Sequence, residues 1–124
     1  MDFDGLIKAA EEVLHPRQLT EMTSVASVAA ALVTDKGNVY RGVCIDAPCS
    51  MGFCAEHSAI AAMVTAGEDR IAGIVAVSDW DGIIPPCGRC REFIYQINPQ
   101  NLDCLVKLKD RTVPLRELLP DRWI

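Results

Sequence analysis

The amino-acid sequence predicts an α/β protein whose sheet is covered by helices on both faces. Segments of strand character alternate with helical segments in the order α-β-β-α-β-α-β, followed by one short element. Two of the strand segments, 25–33 and 71–77, are continuously apolar, as is typical of buried strands. Half of the 124 residues are apolar and 23% are charged, so we expect one globular domain over residues 1–124.

The first half of the chain contains a helix and a β-hairpin. Apolar residues at helical spacing predict an amphipathic helix over 4–14, which His15-Pro16 ends. Small and β-branched residues predict a buried strand over 25–33. The turn residues of 35–38 then predict a hairpin whose returning strand covers 39–46.

In the second half, turn residues separate helices from strands. Gly67 and Asn98-Pro99 provide the two helix stops. The predicted elements are, in order, a loop over 47–53, a helix over 54–66, a central strand over 71–77, a loop over 79–86, a helix over 88–97, a strand over 102–108 and a short strand or helical turn over 113–119.

Charge and composition exclude several functions. The formal net charge is -5 and no basic stripe is present, so a long nucleic acid is a poor partner. No apolar stretch reaches the roughly 20 residues that a membrane span needs. The opening Met1–Asp4 lacks the features of a signal peptide, so we expect a cytosolic protein. Its six cysteines are then thiols or metal ligands rather than disulfides.

Three cysteines form the pattern of a catalytic zinc site. Cys87 and Cys90 are three residues apart at a predicted helix start, so their sulfurs share one face. Cys54 opens another helix and supplies a third sulfur. Three protein ligands leave one tetrahedral position open to water, which is the arrangement of catalytic rather than structural zinc.

Glu56 is the predicted acid–base group of this site. It lies two residues after Cys54 at a helix start, so its carboxylate reaches the same pocket and can move protons. Three thiolates give the zinc site a formal charge of -1, which the two helix N-termini oppose. His57, Arg89 or Arg91 would offset this negative charge further by donating a hydrogen bond to a thiolate.

Other roles for these cysteines stay open. A Cys-x-x-Cys pair alone is typical of redox or structural zinc sites. Cys44, Cys49 or Cys104 would close the site as a fourth ligand, although Cys104 alternates with apolar residues and is expected in the core. The combination of Cys-x-Glu with Pro-Cys-x-x-Cys favours the catalytic site.

With these motifs the chain resembles the zinc-dependent cytidine deaminase superfamily, whose Pro-Cys-x-x-Cys pattern and three-cysteine variant are known. It is similar to the small tetrameric nucleoside branch, and most of all to the blasticidin S deaminases, through segments 24–27, 86–91 and 116–120. The resemblance implies a three-layer α/β/α sandwich around a mixed five-stranded sheet. It also implies Glu56 as proton shuttle and a homotetramer, or a homodimer, with sites at subunit interfaces.

The resemblance further implies where the substrate binds. Asp46 and Cys44 replace a Glu and an Asn that grip ribose in the family; the carboxylate of Asp46 is shorter, and a thiol is a weak hydrogen-bonding group. Ser24 lies in the segment that forms the base pocket, where an aromatic wall is missing here. The implied substrate-binding residues are the backbone N–H of Ala55 with Cys44, Asp46, Ser24, Pro86 and Trp123, the last acting across an interface.

The sequence therefore predicts hydrolytic deamination of a cytosine nucleoside, as in pyrimidine salvage, with release of ammonia and one Zn²⁺ per subunit. A modified nucleoside such as a blasticidin S-type antibiotic is the nearest alternative. A non-catalytic zinc module is a different class of function. Deamination within a nucleic acid is disfavoured by the acidic charge.

Overall fold

The computed structural model describes residues 1–124 and has a seven-stranded mixed sheet with helices on both faces. The helices are α1 (Phe3–Glu11), α2 (Ala55–Thr65), α3 (Gly88–Ile97) and α4 (Leu115–Leu118), with a 3₁₀ helix at Pro99–Asp103. The strands are β1 (Arg17–Gln18), β2 (Ser24–Thr34), β3 (Val39–Asp46), β4 (Ile71–Ser78), β5 (Gly82–Ile84), β6 (Leu105–Lys107) and β7 (Thr112–Pro114). No helix has both the length and the apolar character that crossing a bilayer requires.

Five strands lie side by side in the order β3-β2-β4-β6-β7, and only β4 and β6 run parallel. The mixed sheet of the prediction is confirmed, but its strands number seven rather than five. The additional strands are short: β1 pairs with the start of β2, and β5 pairs with the end of β4. A strand of two or three residues is too short to show a period-2 pattern, so the sequence does not predict β1 or β5.

Two apolar cores explain the uninterrupted hydrophobic run of β2. Ala29 and Ala31 belong to the core beneath α1, whereas Ala30 and Leu32 belong to the larger core beneath α2 and α3. Successive side chains of a strand point to opposite faces, so a strand between two helical layers is apolar at every position. The predicted three-layer arrangement follows from this alternation.

The region after α3 differs from its predicted strand. Residues 99–103 form the 3₁₀ helix, so β6 is shorter than the segment 102–108 predicted for it. The Asn98 side chain accepts a hydrogen bond from the backbone N–H of Gln100 and thereby begins this helix. Cys104 follows the helix instead of lying in a strand, yet it is buried, and burial raises the pKa of its thiol to about 12. It is a core residue, as expected.

A buried amide fixes α3, the helix that begins at the cysteine pair. The Asn101 side chain is fully buried and donates to the carbonyl oxygens of Asp69 and Ile94. It also accepts a hydrogen bond of 2.8 Å from the backbone N–H of Ile71. These three bonds tie the end of α3 to the start of β4, because a buried amide is stable only when it is fully paired.

Candidate active site

Two helix starts bring the predicted metal ligands together. Cys54 is the N-cap of α2 and Cys87 is the N-cap of α3, and both have extended backbone. Neither sulfur is used to cap its own helix. Both thiols therefore stay available for a cation, in positions where the positive helix ends favour the thiolate form.

The spacing of the three sulfurs fits zinc. Cys87 Sγ lies 3.5 Å from Cys54 Sγ and 3.5 Å from Cys90 Sγ. Zinc with sulfur ligands at about 2.3 Å in a tetrahedron requires sulfurs about 3.8 Å apart. The residues present thus match a tetrahedral site, with small adjustments of the three side chains on binding.

His57 is a fourth donor beside these sulfurs. Its Nδ1 lies 3.3 Å from Cys90 Sγ, and its ring stacks on Phe93 with centroids 4.2 Å apart. The ligand atoms of Cys54, His57 and Cys90 all lie within 4.8 Å of one another. Geometry alone therefore permits His57 either as a hydrogen-bond donor to Cys90 or as a ligand.

The three thiols differ in acidity. Burial, and then the hydrogen bond with Cys87, raises the pKa of Cys54. Burial and the charge of Glu56 raise the pKa of Cys90. Burial also acts to raise the pKa of Cys87, but hydrogen bonds from Cys90 and Cys54 outweigh it and the net pKa is lowered. Zinc binding to such a set displaces the remaining protons.

Glu56 places a carboxyl group next to the sulfurs. It is the second residue of α2 and only 4% exposed. Burial raises the pKa of this carboxyl, while hydrogen bonds from its own backbone N–H and from Cys90 act in the opposite direction. A buried carboxyl with a raised pKa is suited to both accepting and returning a proton.

A small cavity of about 200 Å³, the inner cavity, adjoins this group. Its walls are mainly apolar and leave room for one flat heterocycle. Ala55 contributes a backbone N–H that, as the first of α2, has no acceptor within the helix. The lining residues are Val28, Cys44, Cys54, Ala55, Glu56, Ile84, Pro85 and Cys87.

A wider cavity of about 410 Å³, the outer cavity, shares Val28, Cys44 and Cys54 with the inner one. Its other walls carry hydroxyl groups, one carboxylate and one guanidinium. The residues added by the outer cavity are Ser27, Ile45, Asp46, Ala47, Ser50, Gly52, Phe53, Trp80 and Arg89.

A bulge in β2 shapes the boundary between the two cavities. Ala26 has φ 64, and the pairing of β2 with β3 shifts register between Val25 and Ala29. The Cys44 sulfur accepts a hydrogen bond of 3.3 Å from the N–H of Val28 inside this bulge and lies 3.4 Å from Ser27 Oγ. Cys44 therefore supports the bulge as well as lining the site.

Some predicted residues lie outside both cavities. Ser24, Pro86 and Trp123 line neither of them. Ser24 pairs with Asp46 in the sheet. Trp123 is 81% exposed, and its backbone N–H donates to Glu92 Oε1 on α3.

The two arginines also do not bind the sulfurs. Arg89 lines the outer cavity and forms no hydrogen bond with a thiol. Arg91 is engaged elsewhere, because its guanidinium donates to the carbonyl oxygens of Pro86 and Leu118. Only His57, among the three donors suggested by the sequence, lies against a sulfur.

Sequence reasoning missed the apolar walls of the site. Val28, Ile84 and Pro85 line the inner cavity, and Trp80 lines the outer one. The only signal available was position, since Ile84 and Pro85 directly precede the Cys87 motif and Trp80 occupies the same connection.

The family model of the cytidine and deoxycytidylate deaminase zinc-binding region matches residues 6–106. The chain belongs to this deaminase family. The family and zinc predictions are thereby confirmed, and with them the fold class, which solved structures of family members share.

Relatives extend over most of the chain. It is 34% identical over 99 residues to a cytidine deaminase of Sporosarcina psychrophila, covering 76% of this chain and 68% of the relative. The crystal structure of cytidine deaminase from Burkholderia pseudomallei is 28% identical with a TM-score of 0.79, and the match covers 99% of this chain and 100% of that one. The crystal structure of cytidine deaminase from Mycobacterium tuberculosis is 24% identical with a TM-score of 0.83. The match covers 100% of this chain and 98% of that one and shows the same fold.

Proposed function

We propose that Cys54, Cys87 and Cys90 hold the zinc ion and that Glu56 moves protons in the deamination of a cytosine nucleoside. The family makes the chain a zinc-dependent hydrolase that deaminates cytosine nucleosides. The roles of individual residues, and one catalytic domain over residues 1–124, are the proposal. The observation that carries it is a buried carboxyl group beside three converging sulfurs, at the wall of a cavity sized for one ring.

The reaction exchanges one group on the pyrimidine ring. The bond between the ring carbon and its amine breaks, a bond to the oxygen of water forms, and ammonia leaves. Zinc, when bound, supplies an activated water at neutral pH. Glu56 accepts one proton of the attacking water and delivers it to the ring nitrogen; it then takes the second proton from the hydroxyl group added to the ring carbon and transfers it to the departing amine. The free N–H of Ala55 donates to the pyrimidine edge and orients the base.

His57 acts in this proposal as a hydrogen-bond donor to the Cys90 sulfur. Stacking on Phe93 holds the imidazole so that Nδ1 faces the sulfur, and a donor there offsets the excess negative charge of three thiolates. The alternative is a closed site of three sulfurs and one imidazole, which would make the chain a structural zinc module. X-ray absorption of the zinc protein separates the two, because only a bound imidazole gives multiple-scattering features that His57→Phe removes.

The substrate is a cytosine nucleoside whose base occupies the inner cavity and whose sugar occupies the outer one. In this proposal Asp46, which lines the outer cavity, accepts hydrogen bonds from sugar hydroxyls, whereas the Cys44 thiol already accepts a hydrogen bond from β2. This weakened ribose site keeps a modified nucleoside, such as blasticidin S, as the second candidate.

A substrate panel on zinc-loaded protein tests the function. Cytidine, deoxycytidine, cytosine and blasticidin S are compared by loss of cytosine absorbance and by ammonia release. We expect turnover of the two nucleosides. Turnover of blasticidin S alone would move the assignment to the antibiotic, and no turnover of any of the four by fully loaded protein would contradict deamination.

Assembly and location complete the proposal. We infer a homotetramer in which exposed tail residues such as Trp123 and Ile124 pack against a neighbouring subunit near its site. A cytosolic location keeps the thiols reduced and ready for zinc. Light scattering after size exclusion measures the assembly, and a monomeric active enzyme would contradict it.

A further inference from the structure

Trp80, at the tip of the β4–β5 hairpin, is a large apolar side chain for which the proposed reaction has no role. It is 66% exposed, and it lines the outer cavity together with Asp46 and Arg89. A single exposed tryptophan needs no explanation by itself. Trp80, however, lines the proposed substrate site on a turn that hydrogen bonds hold in place, and this position suggests a function.

Hydrogen bonds within the hairpin fix the backbone around Trp80. Ser78 Oγ accepts from the N–H of Asp81 and donates to the carbonyl of Gly82, both at 3.0 Å. Gly82 has φ 67, a conformation that favours glycine and turns the chain back into β5. The tryptophan is therefore presented by a closed turn.

Two further contacts attach this turn to its surroundings. The N–H of Asp79 donates to the carbonyl of Ser27 at 3.0 Å, in the bulge that shapes the cavities. Asp81 forms an ion pair of 2.6 Å with Lys109, although both side chains are exposed and the pair contributes little to stability. The turn that carries Trp80 is thus attached to Ser27 in the wall of the outer cavity.

The outer cavity has complementary walls for a sugar. Asp46, Ser50 and Arg89 offer hydrogen-bonding groups, and Trp80 offers an apolar ring. A furanose likewise has polar and apolar parts, with hydroxyl groups at its edge and C–H groups on its faces. An aromatic ring against the C–H face, with polar groups for the hydroxyls, is how mainly apolar pockets fix an amphipathic ligand.

We propose that Trp80 is a specificity-determining residue whose indole packs against the sugar of the bound nucleoside. The proposal rests on the proposed function, because it needs the base in the inner cavity and the sugar in the outer one. Trp80 then makes the enzyme select nucleosides over free bases without taking part in proton transfer.

Kinetics of Trp80→Ala and Trp80→Phe test this selectivity. We expect kcat/KM for cytidine to fall about tenfold or more in Trp80→Ala, mainly through KM, with partial recovery in Trp80→Phe. The affinity for uracil, measured as product-type inhibition, stays unchanged because uracil has no sugar. Unchanged kinetics with cytidine, or an equal loss for cytidine and uracil, would overturn the proposal. So would loss of assembly in Trp80→Ala, since Trp80 would then be an interface residue.

Fluorescence gives a direct reading. The chain has two tryptophans, so Trp123→Phe leaves Trp80 as the only indole. Uridine, titrated while calorimetry follows its binding, should shift the emission of Trp80 in proportion to occupancy, whereas uracil should not. Bound uridine without an emission change overturns the role of Trp80. An emission change in this variant, combined with no ammonia release from cytidine by the zinc-loaded wild-type protein, supports Trp80 and overturns the deamination instead. Absence of uridine binding to the wild-type protein overturns both.

Discussion

The inner and outer cavities of the active site are built in different ways. The inner cavity is bounded in part by the start of α2 and by Cys87, the N-cap of α3, which together carry two of the sulfurs and the carboxyl group. The outer cavity is bounded by the β2 bulge, the segment after β3 and the tip of the β4–β5 hairpin. Helix starts are set by local sequence, whereas bulges and turns depend on their neighbours. Under the proposed function, the reaction depends on the two helix starts, and the choice of substrate depends on the bulge and the hairpin turn.

Loss of a proposed metal ligand in the inner cavity should have the largest effect on activity. Cys87→Ser should abolish zinc binding and with it all activity, because two cysteine ligands with a weak hydroxyl hold zinc poorly. Metal content by atomic absorption and ammonia release measure the result. The matched control is Cys49→Ser, an exposed thiol that lines neither cavity, which should keep its zinc. Full zinc content in Cys87→Ser would break the assignment of the inner cavity.

Glu56→Gln should come next. It keeps the shape of the side chain but removes the proton acceptor, so kcat should fall by at least about 10²–10⁴-fold while zinc stays bound. KM should change little, because the amide still fits the inner cavity. Single-turnover rates together with zinc analysis separate the two properties. Turnover at the wild-type rate would show that another group moves the proton.

A residue of the outer cavity should show the opposite kinetic pattern. In Asp46→Asn the hydroxyl groups of the sugar lose a charged acceptor, worth about tenfold in affinity. We expect KM for cytidine to rise by that amount with kcat nearly unchanged. If kcat falls instead, the sugar site and the reaction site are not separable in the way the two cavities suggest.

The smallest effect is expected far from both cavities. Glu68 is buried, and its Oε2 accepts from Asn38 Nδ2 at 2.9 Å and from Tyr40 Oη at 2.7 Å. The Tyr40 hydroxyl, followed by Thr34, lowers the pKa of Glu68 below its ordinary 4.5. The ionised carboxylate therefore contributes stability above about that pH, and this contribution is lost as the pH falls through the lowered value.

Glu68→Gln should accordingly lower the melting temperature at neutral pH without changing kcat or KM of the remaining folded enzyme. The difference in melting temperature from wild type should shrink as the pH falls below the ordinary glutamate range. Thermal scans of both proteins across acidic pH measure it. A difference that grows toward low pH would show that the carboxylate destabilises the fold.

The same contrast explains how much the sequence could predict. The bounds of β3 and α3 and the positions of Cys54 and Cys87 at helix starts follow from local patterns, because helix starts and apolar periodicity are properties of a few adjacent residues. That the two helix starts meet is a tertiary contact, which only the combination of the two motifs indicated. The bulge at Ala26 could not be predicted, since alanine rarely has positive φ and adopts it here only under the constraint of the surrounding sheet.

Long-range contacts account for the other omissions. Nothing local indicates that Arg91 leaves the sulfurs and binds two backbone carbonyls, because the partners are Pro86 and the distant Leu118. The walls supplied by Val28 and Trp80 likewise depend on how strands pair. A period-2 pattern gives the face of a residue but not its neighbour across the sheet.

The single guanidinium of Arg91 has a practical consequence for anyone reshaping this protein. It braces the peptide just ahead of Cys87 and, with its other arm, the last turn of α4. Shortening the chain into that turn removes one of the two hydrogen bonds of Arg91, whose other hydrogen bond holds the residue before Cys87, a proposed metal ligand. A deletion that reaches Leu118 therefore disturbs the segment before Cys87 as well as the end of α4.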